Sequence, residues 1–225
     1  VDTHDDPAQE LHVVKALHHR RVDGILLAPS SDPEQAALAY LQANAIPTVL
    51  VDRLAADGFD QVGVENREST RELVAHLIGH GHSRIAMIAG HRGLSTTEER
   101  IDGYRLALET AGLAFDETLL VNGESNSESA RKAAAALLTL PTPPTAIMAA
   151  NNLMTIGAMH ALRDAKIAVP EQMALVGFDD FDWADFFLPR LSVIAQPVQA
   201  LGERAVQLLL QRIDHPEGRR GSERL

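Results

Sequence analysis

The chain has 225 residues, of which 45% are hydrophobic and 23% charged, the composition of an ordinary globular protein. Its net charge of −11 argues against nucleic-acid binding by this segment alone, because binding to phosphates needs a basic surface. The absence of cysteine excludes disulfides, thiolate nucleophiles and cysteine metal sites, and fits a cytoplasmic protein. No run of about 18 apolar residues occurs, so we expect no membrane contact.

Apolar runs alternate with helical patterns along most of the chain. The chain opens on a polar stretch, 2–10, which we interpret as a loop that follows an upstream strand. Strands are predicted at 24–29, 47–52, 84–90, 145–150 and 173–178. Helices are predicted at 33–44, 69–79, 98–111, 128–138, 153–165 and 198–213. Strands that alternate with helices indicate parallel sheets covered on both faces, so the fold class is α/β.

Polar side chains directly after the predicted strands are the candidates for binding a ligand. In open parallel α/β sheets, ligands bind outside the carboxyl ends of the strands. Carboxylates, amides and arginines suit a polyhydroxyl ligand, because each hydroxyl both donates and accepts a hydrogen bond. The alternative for each residue is that it caps a helix or closes a turn. The candidates are Ser30, Ser31, Asp52, Arg53, Asn151, Asn152, Asp179, Asp180 and Gln196.

Catalytic and metal chemistry find little support in the sequence. The chain has ten histidines, and two pairs of them are close in sequence: 18 with 19, and His80 with His82. Neither pair has the helical spacing and the third ligand of a zinc site. The hydroxyl cluster 95–97 has no nucleophile elbow around it, and no phosphate-binding glycine loop occurs. No neighbouring residue completes a general acid–base mechanism with Asp179 and Asp180, the two acids that follow the predicted strand at 173–178. We therefore expect no catalytic residue, metal or cofactor, and an enzyme is the least favoured class.

Six segments follow one another along the whole chain in a recognisable order. They are RRVDGILLAPS (20–30), IPTVLVDR (46–53), VGVENRESTRELVAHLIGHGHSRIAMIAG (62–90), ERIDGYRLALETAGL (99–113), PTAIMAANNLMTIGAMHALRDAKIAVPEQMALVGFDD (144–180) and LPRLSVIAQPVQALGERAVQLLL (188–210). Each is modestly specific, but their order and spacing together are very specific. In this arrangement the chain resembles the effector-binding core of the lactose/galactose-repressor family of transcription regulators.

The resemblance implies a periplasmic-binding-protein-like fold, with two doubly wound parallel-sheet lobes joined by crossover strands and the effector in the cleft between them. One lobe would comprise 1–65 plus 197–225, without its first strand, and the other would comprise 66–196. The family's DNA-binding helix-turn-helix domain would lie upstream and is absent from this chain.

The resemblance also implies a set of effector-binding residues. They are Asp52, Thr96, Arg100, Ser125, Asn151, Asp179 and Gln196. Arg100 would hold vicinal hydroxyls or a phosphate with its planar fork, unless it is structural and paired to Asp179 or another acid. Three departures stand out: Asn152 replaces a common aspartate, Ser125 a frequent aromatic residue, and Ala130 a common glycine.

The function implied is that of a cytoplasmic, homodimeric repressor that senses a sugar or sugar derivative. Operator DNA would be contacted only through the absent domain, while the ligand shifts DNA affinity by changing lobe closure. The apolar stripe of 153–165 is one candidate surface for the dimer. The alternative function is that of a periplasmic solute-binding protein of a sugar transporter, which shares the fold.

Overall fold

The computed structural model describes residues 1–55 and 57–225, which form two compact units. Unit 1 comprises Val1–Glu65, Gly93–Thr96 and Pro197–Leu225, and unit 2 comprises Asn66–Arg92 and Thr97–Gln196. The short segment Gly93–Thr96 therefore groups with unit 1, whereas the resemblance assigns it to the second lobe. Over the described residues, no helix has the length and apolar character that crossing a bilayer requires.

Helices and strands alternate along the described chain. The helices are α1 (Pro7–His19), α2 (Ala36–Ala43), α3 (Arg67–Gly79), α4 (Ser95–Thr110), α5 (Ser127–Leu138), α6 (Asn152–Asp164) and α7 (Val198–Asp214). The strands are β1 (Ile25–Leu27), β2 (Thr48–Val51), β3 (Asp60–Gly63), β4 (Ile85–Ala89), β5 (Leu120–Asn122), β6 (Ala146–Ala149), β7 (Ala174–Phe178), β8 (Ser192–Ile194) and β9 (Ser222–Arg224). Short 3-10 turns occupy Glu117–Leu119 and Asp182–Phe186.

Each unit is built on one parallel sheet. The strand order is β1-β2-β3-β9 in unit 1 and β5-β4-β6-β7-β8 in unit 2, and the strand pairs are parallel. The core of unit 2 lies on both faces of β4 and β6, whose residues are all buried. Continuous apolar runs are what a doubly covered parallel strand requires. The prediction of an α/β fold with doubly wound parallel sheets is confirmed.

The opening polar stretch is helical from Pro7 onward, so its interpretation as a loop is wrong for residues 7–10. Asp6 caps α1, because its Oδ1 accepts the backbone N–H of Ala8 at 2.8 Å and of Gln9 at 3.1 Å. An aspartate N-cap followed by proline in the first helical position is a common helix start. The hydroxyl cluster that begins at Ser95 forms the first turn of α4, so this helix begins three residues before its predicted start at 98.

The apolar stripe of α6 packs inside unit 2. Its buried residues are Met154, Thr155, Gly157, Ala158, Ala161 and Leu162. Gly157 faces α5 so closely that an added Cβ would lie 2.3 Å from the carbonyl oxygen of Ser127. The suggestion that this stripe forms a dimer surface is therefore wrong, because the sheet and α5 already cover it.

Candidate functional site

The carboxyl ends of the unit 2 strands carry four of the predicted ligand-binding residues. Ser125 follows β5, Asn151 follows β6, Asp179 comes directly after β7 and Gln196 follows β8. Since these strands belong to one parallel sheet, their carboxyl ends share an edge. The fifth unit 2 candidate, Arg100, lies on α4.

Asp179 and Gln196 contact each other directly at this edge. The side-chain amide of Gln196 donates a hydrogen bond to Oδ1 of Asp179. The neighbouring acid, Asp180, has a different partner, because Nη2 of Arg190 donates to both of its carboxylate oxygens at 2.8 and 2.9 Å. Hydrogen bonds to Asp185 and to Asp180 raise the pKa of Arg190 above its ordinary value. Asp180 is thus held in an ion pair rather than available as a proton-transfer partner for Asp179.

Arg100 is buried, and its guanidinium contacts a side-chain amide, a backbone carbonyl and an aromatic ring. Its Nε donates to Oδ1 of Asn66 at 2.9 Å, and its Nη1 donates to the carbonyl of Ala150 at 2.6 Å. Its Cζ lies 3.7 Å from the ring centroid of Phe178, a cation–π distance. Asn66 in turn donates to a carboxylate oxygen of Glu99 at 3.0 Å. These contacts set the plane of the guanidinium beside the ends of β6 and β7.

Asn151 and Ser125 are linked at the ends of β6 and β5. Oδ1 of Asn151 accepts the backbone N–H of Met154 at 2.7 Å, so Asn151 caps α6, which is the alternative role that the sequence left open for it. Nδ2 of Asn151 lies 3.4 Å from the carbonyl oxygen of Ser125, and Oγ of Ser125 accepts the N–H of His91 at 3.2 Å. An added Cβ at Gly90 would lie 2.6 Å from that hydroxyl, so the hydroxyl needs glycine there.

The remaining candidates belong to unit 1. Asp52 follows β2, and its backbone N–H donates to the carbonyl of Val62 at 2.9 Å. Both carboxylate oxygens of Asp5 accept hydrogen bonds from the guanidinium of Arg53. Thr96 is a buried residue in the first turn of α4. The charge of Arg53 is therefore balanced by a partner within unit 1.

A small cavity of about 90 Å³ lies beside Arg53 in unit 1. Its lining includes Glu10, a carboxylate only 3% exposed, and Ser30. The backbone N–H and the hydroxyl of Ser30 donate to Oε2 of Glu10 at 2.7 and 2.8 Å. These contacts satisfy one oxygen of a buried acid.

Several groups that shape these sites escaped the sequence reasoning. Phe178 and Asn66 hold Arg100, and no strand-end rule points to either. Asp52, Ser125 and Asp179 have φ angles of 66°, 52° and 74°, in the left-handed region that residues other than glycine rarely occupy. Such strained positions often lie at functional sites, and only a backbone structure reveals them.

Comparison with known proteins identifies the family. A family model described as "Periplasmic binding protein-like domain" matches residues 74–225. The solved structure of a putative ribose operon repressor from Burkholderia thailandensis is 33% identical with a TM-score of 0.90, over 100% of this chain and 83% of that one. A regulatory protein of the LacI family from Chloroflexus aggregans is 30% identical with a TM-score of 0.83, over 98% of this chain and 79% of that one. The chain belongs to the LacI family, as a periplasmic binding protein-like domain. The fold of this LacI-family domain and its resemblance to the family are thereby confirmed.

Two further relatives of this LacI-family domain are named for ribose. The ribose operon repressor of Escherichia coli is 32% identical over 96% of this chain and 66% of its own length. A LacI family transcriptional regulator from Enterococcus faecium, solved with bound ribose, is 27% identical with a TM-score of 0.84, over 94% of this chain and 79% of that one. The chain spans 60–66% of the length of the first curated relatives, which are repressors rather than enzymes.

Proposed function

We propose that this chain is the effector-binding core of a transcriptional repressor and that its effector is a monosaccharide or a close derivative. The observation that carries the proposal is the polar edge of the unit 2 sheet, where Asp179 and Gln196 are hydrogen-bonded and Arg100 is held in a fixed plane. The LacI family regulator from Enterococcus faecium, solved with bound ribose, supports the same chemistry.

The hydrogen-bonding groups at this edge match the needs of sugar hydroxyls. A carboxylate such as Asp179 accepts hydrogen bonds from two neighbouring hydroxyls, while Gln196 and Asn151 both donate and accept. The guanidinium of Arg100 donates two parallel bonds to adjacent oxygens. We propose that these residues, with Asp52, Thr96 and Ser125, hold the effector.

A sugar or a sugar derivative fits these groups better than a planar base. Phe178 is buried with Arg100 against its face, so its ring offers no stacking surface to a base. The serine at position 125 adds no aromatic platform.

The partners of the whole protein are part of the proposal. A net charge of −11 favours DNA contact through residues outside this chain, because a basic face is needed to bind phosphates. We expect the protein to act in the cytoplasm as a homodimer, the common assembly of regulators that read two-fold symmetric operators. Ligand binding would shift its affinity for DNA by differential binding to two conformations.

A thermal-shift screen tests the proposed ligand class. Neutral pentoses and hexoses, sugar phosphates, sugar acids and nucleosides are each added to the full chain. A ligand at 100 times its dissociation constant should add about 2.7 kcal/mol to the free energy of unfolding. We expect a sugar or a sugar derivative to give the largest shift, and a nucleoside to give none. If no compound of any class shifts the melting temperature, the proposal fails.

The variant Asp179→Asn tests whether the ligand-induced rise in melting temperature depends on the proposed residues. Asparagine tolerates left-handed backbone as well as aspartate does, so the fold is retained while the charge is lost. Asp180→Asn is the matched control, because Asp180 is paired with Arg190 instead. We expect the sugar-induced shift to vanish in the first variant and to persist in the second.

A further inference from the structure

The last turn of α3 carries a pair of histidines on one face of the helix. His76 lies inside the helix and His80 is its C-cap residue, four positions later. Their ring centroids are 4.5 Å apart with an angle of 58° between the ring planes, and both residues are exposed. Neither neighbouring pair singled out from the sequence includes His76, so this pair emerges only from the helix that aligns it.

The separation of the two rings matches two imidazoles bound to one metal ion. With metal–nitrogen bonds of about 2.0–2.1 Å, the ring centroids of two histidine ligands lie roughly 4.5 Å apart at a right angle between the bonds and roughly 5.2 Å apart at the tetrahedral angle. Nδ1 of His80 lies 2.8 Å from the backbone carbonyl oxygen of His76. A carbonyl only accepts, so Nδ1 carries the proton and Nε2 keeps its lone pair. A carbonyl that holds the far nitrogen is the usual support of a metal-binding histidine.

The electrostatic surroundings of the pair favour a cation. The C-terminal end of a helix carries a negative partial charge. Glu72 lies one turn before His76 on the same helix, where Arg71 is 3.7 Å from its carboxylate and partly balances its charge. The nearest cation in the adjoining cavity is Arg190, which is paired with Asp180 and Asp185. That cavity measures about 390 Å³ and borders both histidines, which leaves room for water around a bound ion.

We propose that His76 and His80 form a chelating site for a divalent transition metal ion such as Zn²⁺ or Ni²⁺. Within residues 1–55 and 57–225, no three histidine, aspartate or glutamate side chains are grouped as a full ligand set. The protein therefore supplies two ligands and water supplies the others. A site of this kind exchanges its ion readily, unlike a closed structural zinc site. It is separate from the residues proposed to hold the sugar.

Calorimetric titration of the full chain with Zn²⁺ tests this site. His76→Gln and His80→Gln are each expected to weaken binding by at least about tenfold. His160→Gln is the control, because His160 is an exposed histidine on another helix, α6. The control should bind as the unmodified chain does. Equal affinity in all four proteins would overturn the proposal.

A measurement on the unmodified chain removes any dependence on how the variants fold. Substoichiometric Cu²⁺ broadens the NMR signals of imidazoles that bind it, because the ion is paramagnetic. The resonances of His76 and His80 should broaden before those of the other histidines. Uniform broadening of all ten, or earlier broadening at another histidine, would overturn the proposal.

Discussion

The guanidinium of Arg100 is held in position by Asn66, the carbonyl of Ala150 and the ring of Phe178. A donor that is already ordered loses less side-chain entropy when a ligand arrives. The same contacts make Arg100 part of the packing of unit 2. A structural role and a ligand-holding role are therefore compatible in this residue.

Replacement of Arg100 by alanine is expected to weaken sugar binding roughly 10- to 150-fold, because charge-assisted hydrogen bonds contribute about 1.5–3 kcal/mol. The melting temperature without ligand should also fall, since the carbonyl of Ala150 loses its donor. Arg100→Lys should restore little, because a point charge cannot reproduce the planar fork. Calorimetry below the melting temperature measures the affinity. Near-normal affinity in folded Arg100→Ala would exclude the ligand role.

Thr70 is a buried residue of α3 whose hydroxyl has no hydrogen-bond partner among the described residues. Thr70→Val should stabilise the protein by about 1–3 kcal/mol, because it removes an unsatisfied polar group and keeps the branched shape. Chemical denaturation measures the change. Thr155→Val is the matched control, since Oγ1 of Thr155 donates to the carbonyl of Asn151 at 2.9 Å. It should destabilise by about 1 kcal/mol. A loss of stability in both variants would contradict the assignment.

Two helices are each followed by a residue with left-handed backbone, and the two residues differ in how well they tolerate that conformation. Lys166 follows the C-cap of α6 with φ 57°, and Gly112 follows α4 with φ 68°. Lys166→Gly should raise the free energy of unfolding, and Gly112→Ala should lower it, each by about 1 kcal/mol. Urea denaturation of the two variants measures both changes. Opposite signs are the expected result, and a shared sign would refute the argument.

The edge strand β9 is tied to α7 by an ion pair between Glu223 and Arg204, at 2.5 and 2.6 Å. The hydrogen bonds from Arg204 lower the pKa of Glu223 below its ordinary value of 4.5. The resulting stability is present above pH 4.5 and is lost as the pH falls through the lower folded-state pKa.

Glu223→Gln should therefore lower the melting temperature near neutral pH and reduce its further decline in acid. Melting curves recorded between neutral pH and about pH 3 measure this difference. The exposed acid Glu217 gives the control variant, Glu217→Gln, which should follow the unmodified chain. An unchanged acid profile for Glu223→Gln would show that the ion pair adds no stability.

Strands inside a continuous apolar run could be predicted from the sequence, even β1 with its three residues, whereas short strands outside such a run could not. The predicted strand at 84–90 corresponds to β4, whose five residues are all buried. The strands β5, β8 and β9 have three residues each, too few to display a period. β9 pairs with β3 through residues such as Ser222 and Gln61, far apart in sequence, so its existence depends on tertiary contacts.

The residues of the candidate site likewise include some that the sequence reveals and some that it does not. Residues that follow a strand, such as Asp179 and Gln196, could be found because chain order places them at the sheet edge. Phe178 and Asn66 could not, because each becomes relevant only through its contact with Arg100. Such contacts arise from packing between elements, which no local pattern encodes.

Across the whole molecule, two large apolar side chains are conspicuously exposed in unit 2: Phe186 is 85% and Leu188 is 94% exposed. Exposed apolar patches often mark protein interfaces. We expect a dimer in solution, and the double variant Phe186→Asp with Leu188→Asp should shift it toward monomer. Light scattering at tens of micromolar protein measures the mass. Val198→Asp, in unit 1, is the control. A monomeric unmodified chain, or a double variant that stays dimeric, would contradict this.

The left-handed backbone at Asp52, Ser125 and Asp179 has a consequence for how the protein tolerates mutation. Glycine adopts this conformation without strain, so a library selected only for heat resistance should accumulate glycine at these positions. A library selected for response to a sugar should retain the carboxylates and the hydroxyl. The two selections would then favour different amino acids at the same three positions. At each position, stability and ligand binding would place opposite demands on one residue.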